Sequence, residues 1–184
     1  MYTLEAAIET ERLVLRPFRG SDLDDLHAIR SLPEVVRYLY GDVRSRPEVE
    51  ELLAERAALT SLNHDGDGLV LAAERRDDGR VIGDIVLWLR SREHLQGEIG
   101  FVFHPEAQGH GYAREAATAL LDVAFGPLGL HRVYGRTDAR NDASAALMRR
   151  LGMRQEAHFR ENEIFKGSWG DELVFAVLRS EWIA

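Results

Sequence analysis

The sequence predicts an α+β domain in which a mixed, mostly antiparallel sheet of about seven strands is flanked by about four helices. Residues 69–103 contain three apolar segments of strand length separated by short polar turns, which is typical of antiparallel strands. Residues 98–125 run from a strand through a glycine loop into an amphipathic helix. A chain of 184 residues, 45% of them hydrophobic, suffices for one compact domain spanning residues 1–184.

The first 68 residues carry alternating strand and helix signals. Residues 12–18 alternate between apolar and polar side chains and predict a first strand. Ser21 is placed to cap a short helix, and residues 33–40 predict a second short helical segment. Residues 45–62 predict a longer helix, because they open with a capping serine, a proline in the first turn and a glutamate at the third position. A polar, glycine-containing loop follows at 63–68.

The rest of the chain alternates in the same way. Two strands joined by an Asp-Asp-Gly-Arg turn form a hairpin, and a third antiparallel strand precedes the glycine loop. The final two strands are predicted to be joined by a long loop. In chain order these elements are strands at 69–76, 81–90 and 98–103, a helix at 112–125, a strand at 132–137, a helix at 142–151, and strands at 153–160 and 173–179.

The stretch from Glu98 to Phe125 carries the strongest functional signal. Gly109 and Gly111 leave its loop without Cβ atoms, so that backbone N–H groups can approach a ligand closely. The helix that begins at Tyr112 adds free N–H groups and the positive end of its dipole. Together these features predict a phosphate-binding site. Neither the P-loop pattern nor the dinucleotide-binding G-x-G-x-x-G pattern is present.

The loop resembles motif A of the GNAT superfamily of acyl-CoA-dependent N-acyltransferases, Q/R-x-x-G-x-G/A, and lies between a strand and a helix as it does there. Further segments resemble the branch of ribosomal-protein N-terminal acetyltransferases, the RimJ/RimL-like branch. These segments are Asn141-Asp142-Ala143-Ser144, Leu151-Gly152-Met153, an opening T-E-R-L-V-L-R-P-F and a closing G-S-W-G-D-E-L-V-F-A-V-L-R-S-E-W.

The resemblance covers nearly the whole chain and implies the GNAT-like acyl-CoA N-acyltransferase fold with acetyl-CoA as co-substrate. The implied reaction moves an acetyl group to a primary amine, which attacks the thioester directly. The acceptor stays open between a protein N-terminus, a polyamine, an antibiotic and a small metabolite, because this branch has diversified over all of them. The resemblance also allows a homodimer, although no stretch of sequence defines an interface.

The same resemblance assigns residues to cofactor binding. Phe101, Val102 and Phe103 would pair with pantetheine, and a free N–H near Val102 would face the thioester carbonyl. Asn141 and Ser144 would contact pantetheine and its sulfur, although Asn141 is equally competent as a plain helix N-cap. The diphosphate would be held by backbone N–H groups of Gln108, Gly109, His110, Gly111, Tyr112 and Ala113, with the His110 side chain exposed rather than catalytic.

Acetyl transfer also needs proton transfer, because a protonated amine cannot attack a thioester. Glu98 shares a strand face with Val102 and is the candidate general base, directly or through water. The alternative interpretation is that Glu98 is a half-exposed strand residue with no catalytic role. Ser144 is the candidate proton donor to the leaving sulfur, with Tyr134 and Tyr112 as rivals.

Composition argues against several classes of function. The net charge is −8, and the first 70 residues hold fourteen acidic residues against eight arginines, which disfavours nucleic acid and favours a cationic acceptor. The absence of cysteine fits a cytoplasmic protein, and no apolar run reaches the roughly 18 residues of a membrane span. The histidines lack ligand spacing, so no metal is expected, and a serine hydrolase elbow is missing. A non-catalytic acyl-CoA sensor on the same fold is the alternative to an enzyme.

Overall fold

In residues 2–182, the part of the chain that the computed structural model describes, eight of ten strands form one mixed sheet. The strands are β1 (Tyr2–Thr3), β2 (Ile8–Glu9), β3 (Leu13–Arg16), β4 (Ser61–Leu62), β5 (Gly68–Arg75), β6 (Val81–Ser91), β7 (Gln96–Phe103), β8 (Arg132–Asp138), β9 (Arg154–Phe165) and β10 (Ser168–Leu178). The α-helices are α1 (Leu23–Arg30), α2 (Pro33–Val36), α3 (Arg46–Ala57), α4 (Tyr112–Phe125), α5 (Asp142–Arg150) and α6 (Arg179–Trp182).

The sheet order is β2-β3-β5-β6-β7-β8-β10-β9, and β7 with β8 is its one parallel pair within the described residues. The predicted α+β class and mostly antiparallel sheet are therefore confirmed. The sheet has eight strands rather than about seven because the two-residue strand β2 pairs at its edge. The described chain contains six helices rather than about four, and α2 and α6 among them are single turns.

Alternation along the strands divides the buried residues between two faces of the sheet. On one face Ile85 and Ile99 belong to a core that includes Leu120 of α4 and Met148 of α5. On the opposite face Val70 and its neighbours pack with side chains of α1 and α3. This second core ends at β6. On the same face β7 and β8 present half-buried and exposed side chains, and so does β10 around the buried Ala176. We call that area the open face.

A buried ionic group connects the second core to the open face. Asp84 of β6 is 1% exposed and pairs with Arg30 of α1 and with Arg56 of α3, the latter at 2.8 Å. Burial lowers the pKa of Arg30, and Asp84 opposes that shift. Removing one partner of this group would leave an uncompensated buried charge, so the group holds α1 and α3 against β6. Its position is beside Val102 of β7, the register partner of Asp84.

Several local predictions are wrong. The helix predicted over 45–62 ends at Ala57, and Ser61–Leu62 form β4; the helical segment predicted over 33–40 ends at Val36. The chain from 161 to 170 is not a long loop, because β9 and β10 continue through it as a ribbon closed by Lys166 and Gly167 at φ 49° and 82°. Two consecutive left-handed residues match the twist of a tight hairpin. Ser21 does not cap α1, since the carboxylate of Asp22 accepts the N–H of Arg19 there. The capping box of α3, Ser45 with Glu48, is confirmed.

Candidate functional site

The parallel strands β7 and β8 separate within the sheet. Their pairing covers three residue pairs and ends where Glu98 faces Tyr134. Beyond that point β8 continues to pair with β10, while Phe101–Phe103 at the end of β7 have a partner on the β6 side only. The result is an opening between two strands whose edges can accept an added amide chain.

The register decides which backbone groups face this opening. His104 donates its N–H to the carbonyl of Ile82 at 2.9 Å, and residue pairs in antiparallel strands alternate between bonded and non-bonded. Val102, two residues earlier, is therefore bonded toward β6, whereas the N–H and C=O groups of Phe101 and Phe103 point into the opening. The free N–H expected near Val102 thus belongs to its two neighbours rather than to Val102 itself.

The glycine loop presents a row of free donors at the start of α4. Within the described chain, the N–H groups of residues 109–114 have no protein acceptor. Gly109 and Gly111 adopt φ of 79° and 82°, which glycine reaches without steric cost. Gln108 differs from the prediction, because its N–H donates to the carbonyl of Pro105 at 3.0 Å. The loop and the positive end of the α4 dipole together suit a diphosphate.

At the start of α5, Asn141 and Ser144 are joined to each other. The Asn141 side chain caps the helix by accepting the N–H of Ser144 at 3.2 Å. The amide NH₂ of a capping asparagine remains able to donate to a ligand. The Ser144 side chain lies half-buried in the first turn of the helix.

Glu98 lies at the fork where β7 and β8 part, on the open face. Its carboxylate accepts hydrogen bonds from Arg90 at 2.7 Å and from Arg136 at 3.0 Å, and its side chain is 12% exposed. Arg136 also reaches Glu172 of β10 at 3.3 Å. An ionised carboxylate has about four lone-pair sites, so two accepted bonds leave Glu98 able to take a proton from a water or an amine.

Tyr134 is the register partner of Glu98 across the parallel pair. Burial raises the pKa of Tyr134, the Glu98 carboxylate raises it further, and Arg90 and Arg136 oppose the shift. The phenol therefore keeps its proton at neutral pH and can donate a hydrogen bond beside Glu98. From the sequence, Tyr134 was only a rival to Ser144 as the proton donor, because no local pattern shows that residues 98 and 134 are neighbours.

The tip of the β9–β10 ribbon contacts the end of α2 and the segment that follows it. The Tyr40 hydroxyl lies 2.7 and 2.8 Å from the two carboxylate oxygens of Glu163. Burial and the bond to Glu163 raise the pKa of Tyr40 to about 12. Lys166, the single lysine of the sequence, donates to the carbonyl of Val36 at 2.8 Å. Sequence reasoning missed these contacts because they join residues more than a hundred positions apart.

Comparison with known proteins shows which family uses this arrangement. The model of the "Acetyltransferase (GNAT) domain" matches residues 12–154. This chain belongs to the GNAT acetyltransferase family. An N-acetyltransferase of Bacillus subtilis, YnaD, is 32% identical over 95% of this chain and 98% of its own length. The spermidine N(1)-acetyltransferase of Vibrio cholerae is 27% identical over 94% of this chain and 96% of its own length.

Solved structures of GNAT proteins agree with the sequence comparison. An acetyltransferase of the GNAT family from Bacillus anthracis superposes with a TM-score of 0.85 at 28% identity, over 95% of this chain and 99% of the other. The spermidine N-acetyltransferase of Vibrio cholerae in complex with CoA and spermine superposes with a TM-score of 0.78 at 25% identity, over 95% of this chain and all of the other.

This GNAT protein is therefore an acetyl-CoA-dependent N-acetyltransferase, and the expectation of an enzyme rather than a non-catalytic sensor is confirmed. The free edge of β7 suits the pantetheine amides, and the donors of residues 109–114 suit the diphosphate. Across residues 2–182, no three His, Asp or Glu side chains gather where they could hold a metal ion. No helix of the described chain is both long and apolar enough to cross a bilayer.

Proposed function

We propose that this acetyltransferase acetylates a small cationic amine of the polyamine class and that Glu98 is its general base. The observation that carries the proposal is an excess of carboxylate on the open face. Glu98, Glu163 and Glu172 lie along it, against the two guanidinium groups of Arg90 and Arg136. A cationic acceptor would balance that excess.

The ionisation of Glu172 supports the same class of acceptor. Burial raises the pKa of Glu172; Arg136 opposes the shift, and the carboxylates of Glu163 and Glu98 add to it. An ammonium group beside Glu172 would relieve this repulsion. The Vibrio cholerae relative is named for spermidine, and its structure contains CoA and spermine.

The chemistry follows from the groups around the fork. Acetyl-CoA supplies the activated acetyl thioester. Glu98 would accept the amine proton, directly or through water. The N–H groups of Phe101 and Phe103 point into the opening, where one of them would stabilise the oxyanion. Ser144 is the proposed donor to the leaving sulfur, and Tyr134 is its alternative because it keeps its proton beside Glu98.

A second acceptor class is the N-terminal amine of a ribosomal protein. Its support is the resemblance of the opening and closing segments of the chain to the RimJ/RimL-like branch. Such an acceptor would reach the open face as an extended peptide. Polyamines and peptides are therefore alternative acceptors for the same open face.

The deciding experiment measures release of CoA thiol with spermidine, putrescine, an aminoglycoside and short peptides with free N-termini. We expect the highest kcat/KM with spermidine. In a second arm, Glu163→Gln should raise KM for spermidine about two- to fivefold, the scale of one exposed charge pair, and leave KM for acetyl-CoA unchanged. Glu50→Gln, an exposed carboxylate on α3, is the matched control. Preference for a peptide, or equal effects of the two variants, would contradict the polyamine assignment.

The proposal includes a cytoplasmic location and a homodimer. The cysteine-free sequence supports the first. The second is supported by Ile164 and Trp169, register partners on the outer ribbon that are 65% and 60% exposed. Light scattering of the purified protein should give twice the 20.8 kDa chain mass, and a monomer at micromolar concentration would refute the dimer.

A further inference from the structure

Arg12 joins the N-terminal segment to the glycine loop. It lies directly before β3, and its Nη1 donates to the carbonyl of His110 at 2.9 Å. Its guanidinium carbon lies 4.7 Å from the centre of the Tyr112 ring. A Cβ placed on Gly111 would lie 3.5 Å from Nη2 of Arg12. The side chain therefore lines the back of the loop that presents the free N–H groups.

Glu115, one turn into α4, anchors this arginine. Its carboxylate accepts Arg12 Nε and Nη2, each at 2.7 Å, together with the backbone N–H of Arg12 at 2.7 Å and the hydroxyl of Thr10 at 2.6 Å. Burial alone would raise the pKa of Glu115, but the bonds from Thr10 and Arg12 outweigh it and hold the pKa below its usual value. Glu115 is thus an ionised group close to the anion site.

The contact with His110 fixes the direction of a donor. In a trans peptide the C=O of one residue and the N–H of the next point in opposite directions. Since Arg12 holds the His110 carbonyl on its own side, the N–H of Gly111 is turned to the other side of the loop. Gly111 at φ 82° can rotate more freely than other residues, so this peptide needs an external restraint.

We propose that Arg12 is a positioning residue of the diphosphate site, which orients the His110–Gly111 peptide and neutralises the Glu115 carboxylate. Without the Arg12 side chain the Gly111 donor is free to turn away, and the Glu115 carboxylate, whose negative charge no guanidinium then balances, repels the diphosphate. This inference rests on the proposed binding of the diphosphate by the free N–H groups of residues 109–114. It adds a residue that lies outside the loop and about a hundred positions before it.

The test compares two ligands and needs no acceptor. Kd for CoA is measured by calorimetry, and Kd for pantetheine, which lacks the diphosphate, by NMR titration. Arg12→Met should weaken CoA about ten- to a hundredfold, the scale of a lost charge-assisted hydrogen bond, and change pantetheine less than about twofold. Arg12→Lys keeps the charge but not the fork of donors, so its CoA affinity should fall between wild type and Arg12→Met.

Arg76→Met is the matched control. Arg76 holds the same N-terminal segment through Glu9 and the carbonyl of Thr10, but it does not touch the loop. It should bind CoA like wild type. If Arg12→Met raised Kd for CoA and for pantetheine by the same factor, the damage would be general and the proposal would be overturned. Wild-type affinity for CoA in Arg12→Met or in Arg12→Lys would also overturn it. Failure of the proposed cofactor site itself looks different, because wild type would then bind CoA no better than pantetheine.

Discussion

Replacing Glu98 with glutamine tests the mechanism most directly. The substitution keeps the size and hydrogen-bonding capacity of the side chain but removes its basicity. If Glu98 accepts the amine proton, kcat/KM at neutral pH should fall by about 10²–10⁴. The loss should shrink as pH rises toward the pKa of the acceptor amine, because the solution then supplies the neutral nucleophile.

The structure separates this loss from an effect on stability. Glu98 accepts bonds from Arg90 and Arg136, whose side chains are 37% and 42% exposed. Because solvent screens such pairs, each contributes about 1 kcal/mol or less. The catalytic loss corresponds to about 3–5 kcal/mol in the activation barrier. Folded Glu98→Gln protein should therefore be obtainable, with most of its defect in turnover.

The assay is a pH–rate profile with one amine acceptor at saturating acetyl-CoA. Glu172→Gln is the matched control, since it removes the other carboxylate bonded to Arg136 and leaves Glu98 in place. Its activity should change by a similar factor at every pH. If the profiles of Glu98→Gln and wild type are parallel, Glu98 is only a strand residue and the base is a water or a backbone carbonyl.

Three further outcomes are expected. Gly111→Val should weaken CoA binding at least tenfold in calorimetry, because it strains a φ of 82° and places a side chain against the Arg12 guanidinium at the back of the loop. Gly129→Val, at φ 65° and away from the loop, should bind CoA like wild type. Ser144→Ala should lower kcat more than it raises KM for acetyl-CoA; unchanged kcat would transfer the donor role to Tyr134. Burial raises the folded pKa of Glu172 above 4.5, so wild type loses stability as pH rises through that folded pKa. Glu172→Gln should therefore show a higher Tm than wild type at pH 7 and no gain in Tm below pH 4.5.

Much of the fold could be predicted because its signals are local. The capping box at Ser45 and Glu48 and the glycine loop before Tyr112 each lie within a few residues of the element that they define. Where the prediction of a loop at 161–170 was wrong, pairing across a hairpin prevailed over a loop-like composition. Residues 161–170 have a loop-like composition, but they pair as a ribbon in which β9 and β10 continue on either side of a tight turn.

In the candidate site, too, local sequence determined some features and the tertiary structure determined others. The sequence by itself determined the family resemblance, the glycine loop proposed to bind the diphosphate, and Glu98 as an acid on the strand before it. Each of these can be read from the order of residues along short segments of the chain. Only the tertiary structure decided what surrounds Glu98. Arg90, Arg136 and Glu172 come from three strands, and the order β6-β7-β8-β10 brings them to one face. Pairing between distant strands depends on the packing of the whole sheet and leaves no local pattern to read.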